Sequence, residues 1–302
     1  MWRTISLILF LPVYVSAQSA RQEGDSVFQR SLKAYRAGER DWGQVVYLAK
    51  TAKQLHQDKL ADSIGQDYIV KYLSDMKRDE FLTKENLIFF VSFNGSSPNG
   101  AFRMFYQNQD TVDGILASPH YAQSYIDYII AKEEVDPKFF WNGNLVKNVP
   151  WGHIRSEIAR KYNRSYADRV ILNAQVRWYG SQRKVDTAML VKYVIKKMDK
   201  YGMDTIGFGR ALTNNMIYEV VFRYSSKNAA LNEAIVWMKR ILVAEPDNAD
   251  FLDTYANLLY KVGRKEEAIS TEETALKLSR KHDEMAQNLV KMKNGEPTWP
   301  AR

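Results

Sequence analysis

Residue types able to run acid–base, nucleophilic or metal chemistry are sparse and badly spaced in this sequence. The chain has no cysteine, which removes disulfides, thiol chemistry and thiolate metal sites together. Its four histidines, His56, His120, His153 and His282, lie far apart and none sits in a His-Glu-x-x-His spacing. Gly207-Phe208-Gly209 lacks the third glycine and the preceding strand of a dinucleotide-binding loop, and reads as a relaxed helix start. Glu133, Glu134 and Asp136 bunch at a helix end, where solvation keeps carboxylates alike rather than separating them into an acid and a base. These features point to a non-enzymatic protein with no catalytic residue, no cofactor and no metal. What remains is recognition by charge and by aromatic surface.

The charge is concentrated. The chain carries 43 Lys and Arg against 35 Asp and Glu, a net +8. Between Arg155 and Lys200 twelve basic residues face only Glu157, Asp168, Asp186 and Asp199, so nearly all the excess falls in one stretch. Such asymmetry favours acidic partners. Lys192, Lys196 and Lys200 recur every fourth residue along one helix edge, with Arg160, Lys161, Arg164 and Arg169 shortly before them. Arg164, Lys192 and Lys196 are the candidates for an acidic polymer or docking surface. A solvated helix face is the competing explanation.

Residues 1–17 hold one charge, Arg3, then an apolar run from Ile5 to Val15 and small residues at Ser16 and Ala17. That is the pattern of a secretory leader cleaved after Ala17, since a membrane span needs roughly 20 apolar residues. The expected location is the periplasm, with no integral membrane span. Export also argues against nucleic acid as the partner.

Helical periodicity dominates the chain beyond Ala17. Residues 18–93 read as N-terminal helical hairpins, with Gly38 ending one helix and Asp41 capping the next. Leu87 to Phe93 is β-like in composition, yet Thr83 before it reads as a helix cap, so we assign helix. Asn94 to Gly100 is a loop and a boundary, and residues 94–204 form a middle helical region, including a helix from Pro137 to Trp141. Residues 205–293 carry the clearest pattern, and residues 294–302, with two prolines, read as a flexible tail. Asp25, Asp62, Asp110, Asp186 and Asp204, each followed by Ser or Thr and an apolar residue, read first as helix-start residues. In an exported bacterial chain the same triplets resemble O-glycosylation sites.

Two helix-turn-helix units follow each other at a 34-residue offset: Glu233, Ala234, Ile235 and Leu242 recur as Glu267, Ala268, Ile269 and Leu276. Leu231, Ala234, Ile235, Met238 and Leu242 make one apolar stripe, and Glu245-Pro246-Asp247-Asn248 stops one helix and starts the next. A single hairpin cannot bury such a face, so neighbours must stack. Pro246, Ala256, Gly263, Ala268 and Ala275 occupy positions that resemble the defining ones of tetratricopeptide repeats (TPR), and Leu252 to Lys261 is similar to that family's first helix. The region from Thr83 onward is also similar to the helical part of exported thioredoxin-fold proteins of Bacteroidetes-type bacteria, without their Cys-x-x-Cys and therefore without their redox activity. The resemblance implies an all-α helical-hairpin repeat array, a TPR-like right-handed α-solenoid, that holds an extended peptide on its concave face. By the 34-residue offset Arg223 matches Asn257 and Lys227 matches Lys261. These four and Tyr260 are the residues the resemblance implies for a partner's carboxylate. The expected function is thus an exported scaffold for a protein or peptide, with envelope glycans or acidic polymers bound through residues 155–200 as the alternative.

Overall fold

The computed structural model describes residues 26–141, 144–182, 185–203, 209–279 and 283–300. The expected leader, Asp25, Asp204 to Phe208 and His282 lie outside these residues. The fold is all-α, and among the described residues the only extended pairing is Phe140–Trp141 against Asn144–Leu145, antiparallel and two residues long on each side. The helix expected from Pro137 to Trp141 stops at Phe139 for that reason: the chain turns into this short pairing.

The chain divides into two compact units, one up to Glu133 and one from Glu134 onward, a division inside the region grouped by sequence as 94–204. In the first unit, helix α1 (26–36) ends at Gly38, whose φ of +96° is open to glycine at no steric cost. Helices α2 (Trp42–Gln54) and α3 (Asp58–Lys71) pack as a hairpin, followed by α4 (Arg78–Phe81), α5 (Lys84–Phe93), α6 (Gly100–Gln107), α7 (Gln109–Leu116) and α8 (Tyr121–Ile130). Asp41, Thr83 and Asn99 accept hydrogen bonds from Gln44, Asn86 and Phe102 backbone N–H groups, so the helix starts are fixed by the caps their types suggest. The core is aromatic. Phe90 lies 5.7 Å from Phe81, 5.0 Å from Phe105 and 5.8 Å from Tyr125 between ring centres. Gly65 lets α3 approach α5 closely, since a Cβ there would sit 2.5 Å from Cγ of Phe93.

The second unit contains α9 (Asp136–Phe139), α10 (Trp151–Lys161), α11 (Arg164–Gly180), α12 (Thr187–Tyr201), α13 (Gly209–Met216), α14 (Asn228–Ala244), α15 (Ala249–Lys261), α16 (Lys265–Leu278) and α17 (Asp283–Asn294). From α14 onward each helix packs on the next, and the helix begun by α13 continues as a π-helical stretch, Ile217–Phe222, that touches α12, α14 and α15. One core runs through α12, this stretch and α14 to α17, built on Val194, Met198, Phe222, Met238, Ile241 and Leu259. Asn163, Asp186 and Asn248 cap α11, α12 and α15 through the Tyr166, Met189 and Phe251 backbone N–H groups. Within the segment read as a flexible tail, Asn294 belongs to α17, and Trp299 lies 6.5 Å from Phe222 and 6.1 Å from Tyr260.

Candidate functional site

The N-terminal half of α12 and the short link between the π-helical stretch and α14 face each other across a groove of about 1010 Å³. Val191 and Ile195 form its apolar floor from α12, four residues apart and so on one helix face. Tyr224 and Ala230 continue that surface on the other side. Its rim is cationic, with Lys192 on one wall and Arg223 and Lys227 on the other. The link is shaped locally: the Lys227 backbone N–H donates to Ser225 Oγ at 3.1 Å, and the Ser225 side chain is buried beneath it. Arg223 pairs with Glu219 at 2.6 Å, one helical turn back, which raises the Arg223 pKa further. Among the described residues Lys192 and Lys227 form no ion pair. Helix α14 opens at the same place without a side-chain cap and with no acidic residue in its first turn. Its first N–H groups therefore add positive potential beside the three cations.

The groove unites residues that the sequence assigns to two different surfaces. Lys192 belongs to the basic stretch, whereas Arg223 and Lys227 belong to the repeat. Asn257 and Tyr260, expected on an accessible inner face, are buried at 0% and 5% exposure. Asn257 turns its amide back on its own helix, donating to the Asp253 carbonyl and to Asp253 Oδ1 at 2.9 Å each. Tyr260 packs beside Trp299, so neither side chain is available to a partner. Lys261 is engaged as well. Its Nζ donates to the Phe222 carbonyl and lies 5.1 Å from the centres of both the Phe222 and Trp299 rings. A cation on a carbonyl near a helix C-terminus is favoured by the helix dipole, so this lysine is a cap rather than a ligand contact.

The basic stretch is less basic in space than in sequence. Asp168 holds Arg155 and Lys200, the latter at 3.2 Å; Asp136 holds Arg177 at 2.6 Å and Glu134 holds Lys161 at 2.7 Å. Two of those three acids lie outside residues 155–200, where a count along the chain does not find them. Arg169 is buried with its guanidinium 4.7 Å from the Tyr166 ring centre. Arg164 is exposed at the start of α11, and Lys196 lines a separate hollow of about 250 Å³ with Arg155, Asp168 and Lys200. Neither reaches the Lys192 groove lining.

A feature that sequence reasoning misses lies between α15 and α16. Glu272 is fully buried against Asp253, and no N–H donor among the described residues reaches either of its oxygens. Burial, and then the neighbouring Asp253 carboxylate, push the Glu272 pKa up to about 10. It is accordingly a neutral acid that hydrogen-bonds Asp253, whose own pKa is raised by burial while Asn257 and Asn288 donate to it. Glu272 is enclosed, whereas Asp253 is only partly covered. No family model, curated protein or solved structure matches the chain.

Proposed function

We propose that the chain is a non-enzymatic binding scaffold whose groove between α12 and α14 holds an extended acidic segment of a protein partner. The observation that carries this reading is the convergence of Lys192, Arg223 and Lys227 with the uncapped start of α14 over the apolar floor of Val191 and Ile195. A carboxylate, from a side chain or a chain terminus, would sit at the helix start, and apolar neighbours in the same segment would cover the floor. The proposal includes a TPR-like repeat arrangement for the last helices. It is supported by the consecutive packing of α14 to α17, by Ala256, Ala268 and Ala275 at 0% exposure, and by Gly263 at φ +93° in the turn between α15 and α16. The leader-like N-terminal sequence supports an envelope location. Among the described residues no helix is long and apolar enough to cross a membrane. The alternative, an acidic glycan or polymer on residues 155–200, is weakened by the pairing of Arg155, Lys161, Arg177 and Lys200 with acids.

Fluorescence anisotropy with extended acidic peptides, each bearing either a free or an amidated C-terminus, tests the reading. Combined Lys192→Glu, Arg223→Glu and Lys227→Glu substitution should weaken peptide binding at least tenfold, and binding should fall as salt rises through the range where the Debye length drops below about 10 Å. Arg164→Glu with Lys196→Glu should leave it unchanged. Equal binding by the triple variant would sink the groove, and loss only in the Arg164/Lys196 variant would favour the polymer surface.

A further inference from the structure

A second cleft, of about 760 Å³, opens in the same unit among α13, the π-helical stretch, α15 and α17, and its chemistry is opposite to that of the groove. Asp250 and Asp253 reach it from α15, and Asp283 and Glu284 from α17. Tyr218 closes one side, its hydroxyl donating to Glu284 at 3.1 Å. No Lys or Arg lines it among the described residues, although the chain is strongly basic. Asp250, Asp283 and Glu284 alone would be unremarked, because acids in a first helical turn complement the dipole. One feature has no such account. Asp253, a full turn deeper in α15, already has Glu272, Asn257 and Asn288 as partners, but Asn214 lines the cleft while only 6% exposed, its Oδ1 fully buried with no donor among the described residues. The Asn214 amide nitrogen has Asn215 Oδ1 at 3.5 Å, so its carbonyl side is the vacant one.

A buried acceptor without a donor, on a residue that lines the cleft among these carboxylates, suits a ligand that is both cationic and rich in N–H groups. A bare metal ion does not fit that description. An amide oxygen can ligate a cation as well as accept a hydrogen bond, but among the described residues no three acids or histidines are grouped closely enough to hold one. We propose that this cleft binds an alkylammonium group, which donates to Asn214 Oδ1 while Asp250, Asp253 and Glu284 balance its charge. Three N–H donors on one ammonium match one amide carbonyl and two carboxylates. The cleft is large enough for the methylenes behind the ammonium as well. The group could belong to a free polyamine or to a lysine side chain of a protein, and the chemistry is the same for both.

Isothermal titration of the full chain with spermidine and, separately, with a lysine-rich decapeptide tests this. Saturable binding of at least one probe is expected, weakened at least tenfold by Asn214→Ala and several-fold by Glu284→Gln, which keeps an acceptor for Tyr218 and removes only charge. The tighter probe identifies the source of the ammonium. Should Asn214→Ala fail to fold, as judged by circular dichroism, Glu284→Gln decides alone, being at the exposed rim. Absence of saturable binding for both probes, affinity unchanged in the folded variants, or equal displacement by Mg²⁺ at matched ionic strength would overturn the proposal. A Lys192→Glu and Lys227→Glu variant, which leaves the Arg223–Glu219 pair beside the cleft intact, should bind both probes as the wild type does, so this cleft stands or falls separately from the groove.

Discussion

Glu272 meets Asp253 in the interior of the last helices, and one proton sits between two carboxyls that would repel each other without it. The Glu272 pKa moves from 4.5 to about 10 on folding, so the folded state binds a proton that the unfolded state releases above about 4.5. Its contribution to stability is complete below that value and is lost as pH rises toward about 10. Glu272→Gln places an amide donor on Asp253 permanently. It should raise Tm at pH 8 and leave it nearly unchanged at pH 5, with a limiting slope removed of about 1.4 kcal/mol per pH unit; thermal denaturation at the two pH values checks this. At the same scale, Lys261→Met should cost about 1 kcal/mol in a urea titration, because it uncovers the Phe222 carbonyl at a helix end. Sequence periodicity puts Lys261 and Asn257 on a functional face. Periodicity identifies which residues share a face, but a helix packed on several sides has no face that periodicity can label as free.

Helix starts were the most legible elements. Asp41, Thr83, Asp186 and Asn248 act as the helix starts the sequence suggests, and the ambiguous run from Leu87 to Phe93 resolves as helix through Thr83; Asn99 and Asn163 cap without having been singled out, and Asp62, read as a helix start, lies inside α3. By contrast α7 was not legible. Its first residue follows Asn108, which gives no side-chain cap, and Gly114 interrupts its pattern. The two-residue pairing at Phe140 and Asn144 is too short to carry a period at all. A close contact between elements is where α3 meets α5. Gly65→Ala would drive a Cβ into the Phe93 ring carbons at 2.5 to 2.6 Å, and the helices must separate to admit it. Overpacking of that kind should destabilise the protein by about 1 to 3 kcal/mol, measured by chemical denaturation.

On the scale of the whole chain, the all-α class was legible because helical periodicity extends over most of its length, whereas the sites were not. The groove needed α12 brought beside the link at Arg223, a contact between residues some thirty positions apart. The acidic cleft was hidden because three of its carboxylates look like ordinary helix starts and its decisive group, Asn214, carries no charge. The packing of Trp299 was illegible for a related reason: prolines advertise irregular backbone, and irregular backbone can still carry a packed side chain. Trp299→Ala should lower stability by about 2 kcal/mol, less than a fully buried ring would, as read from an equilibrium unfolding curve. The π-helical stretch Ile217–Phe222 has a bearing on ancestry. A π turn holds one residue more than the α turn it replaces, and here Ile217, Val221 and Phe222 are pinned in the core. Deleting one residue in this stretch would let the helix close up while Tyr218 and Arg223 keep their separate sides. A homologue that never acquired the extra residue would align with a single-position gap there, and a repeat search at constant spacing would lose its register at the same point.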